Sequence, residues 1–163
     1  MWTALKWMQP SARRYEYLLV SGDRALGTIA WKSWHDSLAF AETPEGKWTF
    51  RQVSFWQSKS TIRVAGSDAD AGMFESGWDG AGTLVLGSRS FRWRPTNSWY
   101  TNWEFTDDKG ALVRFKSTYR LQKNEADVEV VRQAPETMLL VLFGWYVLLN
   151  AIESWSAMAG ASG

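Results

Sequence analysis

Between residues 15 and 131 apolar and polar positions alternate in short runs, and most runs end at a turn signal. Strict alternation places successive side chains on opposite faces of an extended chain, so each run predicts a strand with one dry face. Residues 15–20 (YEYLLV) precede Ser21-Gly22-Asp23, and residues 25–31 and 38–43 follow, with Pro44-Glu45-Gly46 as the next break. In 47–53 (KWTFRQV), Trp48 and Phe50 share one face while Lys47, Thr49 and Arg51 share the other. The remaining runs are 61–65, 71–75, 83–86, 90–94, 99–105, 111–116, 118–122 and 127–131. Asp79-Gly80 and Asp108-Lys109-Gly110 supply glycine where a hairpin needs positive φ. About twelve short strands at even spacing predict a barrel or a sandwich.

After Pro135 the period changes. Pro135 suits a first helical turn, and Glu136 complements the helix dipole. Residues 138–149 (MLLVLFGWYVLL) carry no charge and are apolar on every side. Such a helix needs burial all round, in protein or in a bilayer. Its twelve residues cover about 18 Å, short of a hydrocarbon core of about 30 Å. Extending it to Ala161 brings in Asn150 and Glu153, and a carboxylate at bilayer depth costs about 2.5–3.5 kcal/mol. Burial inside the protein is therefore preferred over a tail anchor. A barrel of about twelve strands is wider than its own side chains fill, and a helix about 10 Å across fits the gap. The expected fold is all-β with one helix: a closed, mainly antiparallel barrel around a buried helix at about 135–155. One domain then spans 1–156, with 157–163 as a flexible tail. The lumen-filling side chains are Met138, Leu139, Leu142, Phe143, Trp145, Tyr146 and Leu149.

Composition narrows the partners. The 163 residues carry 18 basic and 17 acidic side chains, a net charge of +1. That balance lacks the basic excess of a nucleic-acid binder. With no cysteine, disulfides and thiolate metal sites are excluded. The first eight residues lack an apolar run ending in a small-residue cleavage site, so a cytoplasmic protein is expected. Trp2, Leu5, Trp7 and Met8 around Lys6 form either a membrane-interface anchor or, preferred here, an extra arm packed on the barrel.

Strand order, Asp127-Val128-Glu129-Val130 before the helix, and 138–149 as that helix resemble the tubby C-terminal-like superfamily, which includes phospholipid scramblases and LURP-one-related proteins. Gly27-Thr28-Ile29-Ala30 and Lys109-Gly110-Ala111-Leu112 stand where such proteins have glycine-led hairpins. The resemblance covers residues 15–155. It implies a twelve-stranded barrel threaded by its C-terminal helix. It also implies a non-enzymatic module, without cofactor, that binds lipid headgroups or a membrane-associated protein, peripheral at the membrane. The compact basic motif of tubby proteins has no counterpart here. Of the acidic segment of scramblases only Glu125, Asp127 and Glu129 remain.

Four cations are the candidate lipid-phosphate site. Arg92 and Arg94 alternate with Phe91 and Trp93, and Arg114 and Lys116 alternate with Val113 and Phe115. Brought together, they would grip phosphate; the competing explanation is a solvated face paired with carboxylates. Glu125, Asp127 and Glu129 are weak oxygen ligands for a hard cation, explained equally by the wet face of a strand. The 68–72 stretch fails as a calcium loop because Gly72 and Met73 stand where a ligand and the turn glycine belong. His35 is the single histidine, and no Gly-x-Ser-x-Gly nucleophile is present, so no enzyme is expected. The competing reading is a small-molecule carrier with the lumen as its pocket.

Overall fold

A computed structural model describes residues 4–11, 15–33, 37–54, 58–120 and 123–161. Twelve antiparallel strands close into one barrel: β1 (Ala4–Met8), β2 (Glu16–Ser21), β3 (Arg24–Trp31), β4 (Ala39–Thr43), β5 (Gly46–Ser54), β6 (Lys59–Val64), β7 (Gly72–Ser76), β8 (Gly82–Leu86), β9 (Arg89–Pro95), β10 (Asn102–Asp107), β11 (Gly110–Arg120) and β12 (Lys123–Val130). Each strand pairs with its neighbours in sequence, and β1 pairs with β12 to seal the ring. Helix α1 (Thr137–Ala161) fills the lumen with its residues from Thr137 to Leu149.

Alternation explains the wall. In β9, Phe91 and Trp93 are buried while Arg92 and Arg94 are exposed. In β11, Val113 and Phe115 turn inward and Arg114 and Lys116 outward. The outer wall thus carries charge on strand after strand, and a barrel facing lipid tails would not tolerate it. Tight turns with left-handed glycines, Gly22, Gly87 and Gly110 among them, lie at one end. Gly80 and Gly110 have φ of 87° and 119°, as Asp79-Gly80 and Asp108-Lys109-Gly110 predict.

The chain enters the lumen at that same end. Ala134 N–H donates to Thr137 Oγ1 at 2.8 Å, and Thr137 N–H donates back to Ala134 C=O at 3.1 Å. This reciprocal pair closes the first turn around Pro135 as a capping box does, with threonine in place of glutamate. Met138, Leu142, Phe143, Trp145, Tyr146 and Leu149 are buried, and Leu139 is half-buried against the core. Trp145 stacks on Trp7, and Tyr146 on Trp31. The Tyr146 hydroxyl donates to Ser37 C=O at 2.8 Å. At Gly144 the helix comes closest to the wall, where an added Cβ would meet the rings of Phe115 and Phe105. Among the described residues no helix is long and apolar enough to cross a membrane.

Several boundaries differ from expectation, among them the start of β12, at Lys123 rather than at residue 127. Residues 4–8 are a full strand of the ring rather than an arm, with Leu5 and Trp7 buried. The expected run 111–116 and residues 118–120 of the expected run 118–122 belong to one strand, β11, because pairing with β12 continues through Ser117↔Ala126; residues 121 and 122 lie outside the described residues. Trp99 and Tyr100 precede β10, since Asn97 Oδ1 accepts the N–H groups of both Thr101 and Asn102 at 3.1 Å and Tyr100 turns left-handed. The helix runs to Ala161, past the expected end near residue 155.

Candidate functional site

Three surfaces carry chemistry: the outer face of β9–β12, the end where the helix enters, and the end where it leaves.

On the outer face, strand register sets Arg94, Glu104, Arg114 and Glu129 in one row. The Glu104 side chain is 5% exposed and accepts from Arg94 Nε at 3.3 Å and from Arg114 Nε at 3.4 Å. Arg114 also reaches Glu129 at 3.8 Å. The four predicted cations do share this face, but a buried carboxylate lies between two of them. Among the described residues no ion pair holds Arg92 or Lys116. A depression of about 410 Å³ beside Arg114 and Lys116 is lined as well by Asp127 and Glu129, so both signs meet there. Glu125, Asp127 and Glu129 alternate along β12 with buried Ala126 and Val128. Glu125 pairs with Lys6 at 3.4 Å, and among the described residues no acidic cluster converges on a cation position. Asp70 pairs with Arg63 at 2.7 Å. His35 lies outside the described residues.

At the entry end, Asp107 closes a clasp. Its side chain is 5% exposed and accepts from Arg132 and, at 3.3 Å, from Arg89; Arg89 also meets Glu136 at 3.4 Å. The Arg132 hydrogen bond holds the Asp107 carboxyl below its ordinary 3.8, with burial opposing and the Lys109 N–H and both guanidinium charges assisting. These groups join β9, β10, the linker and the first helical turn.

At the exit end, β7–β8 and β9–β10 present tryptophan to solvent. Trp78 is 98% exposed and Trp99 81%. Trp103 forms a floor common to both loops. Its ring lies against Gly80 on one side, and on the other it pairs with Tyr100, whose carbonyl accepts Trp103 Nε1–H at 3.0 Å. The ends differ in charge. Asp23, Glu45, Asp68, Asp70, Asp108 and Glu136 lie in connections at the entry end with Lys109 and Arg132, whereas the charged residues described in the exit-end connections are Asp79 and Lys32. Beside the departing helix a cavity of about 200 Å³ remains between the turn at 77–80 and the wall.

Neither exposed tryptophan stands among the predicted site residues. The available signal was Gly77-Trp78-Asp79-Gly80, a large ring placed at a turn, where packing cannot use it. No family model matches the chain, and no curated protein or solved structure shows significant similarity to it.

Proposed function

We propose that this barrel is a non-enzymatic, tubby-like module that works at a membrane surface, approaching the bilayer with its helix-exit end. The exposure of Trp78 and Trp99 at that end carries the reading. Indole is amphipathic and settles at the headgroup level. The charge distribution supports the same orientation, because the carboxylate-rich entry end would face away from anionic lipid. Lipid phosphate gripped by Arg92, Arg94, Arg114 and Lys116 is less well supported, since Glu104 already engages two of the four.

Co-sedimentation with phosphatidylcholine vesicles containing phosphatidylserine tests the proposal. The double variant Trp78→Ala/Trp99→Ala is expected to lose about 3 kcal/mol of burial, roughly a hundredfold in partitioning. Arg92→Ala/Arg94→Ala is expected to bind like wild type. Wild-type protein that stays in the supernatant, or tryptophan variants that sediment unchanged, would overturn it.

A further inference from the structure

Asp79 is the one carboxylate described in the exit-end connections, and it lines the cavity of about 200 Å³ beside the departing helix. The turn that carries it is braced from within. Gly77 N–H donates to Ala81 C=O at 2.8 Å, and Gly80 N–H donates to Gly77 C=O at 3.1 Å. Asp79 Oδ1 accepts Ala81 N–H at 3.2 Å. Among the described residues its other oxygen, Oδ2, has no hydrogen bond, and the carboxylate has no ion pair. An ionised carboxylate with one bond made has room to accept more.

The rest of the lining leaves that charge unanswered. It holds no lysine, arginine or histidine; Gln52, Ser58 and Ser76 contribute polar but neutral side chains, and Val147 contributes apolar surface from the helix. An anion would meet Asp79 there with nothing to offset the repulsion. A cation would find its counter-ion already held in place. Trp78, the residue before Asp79, lines the same mouth and is 98% exposed. Its ring faces are therefore open, unlike those of the buried Trp93 and Trp103, and an indole face attracts a cation through the ring quadrupole. The volume lies below the lower bound of about 300 Å³ for drug-sized pockets, which suits a headgroup fragment and not an acyl chain.

We propose that this mouth binds an ammonium group, with Asp79 as its counter-ion and the Trp78 ring against its methyl or methylene carbons. Its lipid source rests on the membrane reading above; the ammonium site itself does not. On that reading the ligand accounts for a carboxylate at the end that meets the bilayer. Anionic lipid would repel Asp79, whereas the ammonium of a choline, ethanolamine or serine headgroup would meet it. A free small amine offers the same chemistry without a bilayer.

NMR of the full chain, following the Gly77 and Gly80 amides, tests the site with choline and with neohexyl alcohol, its uncharged isostere, at constant ionic strength. Choline is expected to give a saturable shift, and the alcohol to bind about fivefold more weakly or not at all. Asp79→Asn, which keeps the oxygen that accepts Ala81 N–H, is expected to weaken choline binding about fivefold, and Trp78→Ala about threefold. Ala151→Lys, which brings a competing cation to the mouth from the helix, is expected to abolish it with the melting temperature unchanged. Co-sedimentation separates the two sources. Asp79→Asn sedimenting less than wild type with phosphatidylcholine vesicles, but equally with phosphatidylglycerol vesicles, assigns the headgroup; choline binding without that loss assigns the free amine. No saturable shift with choline, equal binding of the alcohol, or choline binding unchanged in Asp79→Asn would remove the assignment while leaving vesicle binding through the tryptophans intact. Protein that ignores vesicles yet takes up choline would end the membrane reading and leave this site standing.

Discussion

Replacing Gly144 by alanine sets two effects against each other at one atom. In an exposed helix interior, glycine to alanine stabilises by about 0.8–1.0 kcal/mol. Here the new Cβ would stand 2.6 Å from Phe115 Cε2, with Cζ closer still, and 3.2 Å from Phe105 Cε2. Carbon atoms prefer about 3.5–4.0 Å, so the Phe115 ring must retreat by roughly 1 Å. It has little room, since it is buried edge-on against Trp93, which in turn packs on Phe105 and Trp103. Overpacking of this kind costs about 1–3 kcal/mol. The balance is a net loss of about 1 kcal/mol, seen as a melting temperature lower by about 2–4 °C for a chain of this size. Urea and thermal unfolding of Gly144→Ala, Phe115→Leu and the double variant would measure it. Phe115→Leu alone destabilises by leaving a void, and the added methyl group should recover part of that loss, a favourable coupling of about 1 kcal/mol. A Gly144→Ala protein stabilised by about 1 kcal/mol, with no coupling, would show that the helix does not press on β11.

The clasp at the entry end makes stability depend on pH. Asp107 is held below its ordinary value of 3.8, so its contribution is complete above that value and lost as pH falls through the lowered folded value. Asp107→Asn should melt lower than wild type at pH 7, with the gap closing as the medium is acidified; a constant gap down to pH 2 would contradict the assignment. Glu104→Gln leaves one of its two guanidinium partners facing an amide N–H, and should cost about 1 kcal/mol in urea titration, since both arginines are solvated. Trp7→Ala removes a fully buried ring stacked on Trp145 and should cost about 3–5 kcal/mol; calorimetry showing a near-wild-type transition would mean that β1 is dispensable.

Most of the wall and the central helix were legible in the sequence because each depends on local periodicity. The total of about twelve strands agrees with the structure partly through compensation. Splitting β11 at Ser117 added a strand, and reading 4–8 as an arm removed one. Ser117 is a polar residue within a strand, and it looked like a break only because its pairing with Ala126 is not visible locally. β1 pairs with β2 nearby, but its other partner, β12, is more than a hundred residues away, and no window along the chain contains both. Arg92, Arg94, Arg114 and Lys116 were placed on the correct face from alternation alone. Glu104 escaped notice because only cross-strand register reveals that it sits between two of them. Alternation alone extends the 99–105 run back to Trp99, but the two N–H groups captured by Asn97 hold that stretch in a loop.

The seam between β1 and β12 has a bearing on biogenesis. The first strand of the ring can pair with β2 at once, but its other edge must wait for β12 until almost the whole domain has been translated. Long-range closure of this kind slows folding, and the waiting chain displays open edges together with an oily helix. Newly made protein should accordingly lean on chaperones until the last strand arrives, and a shortened product ending before residue 123 would be left unable to seal.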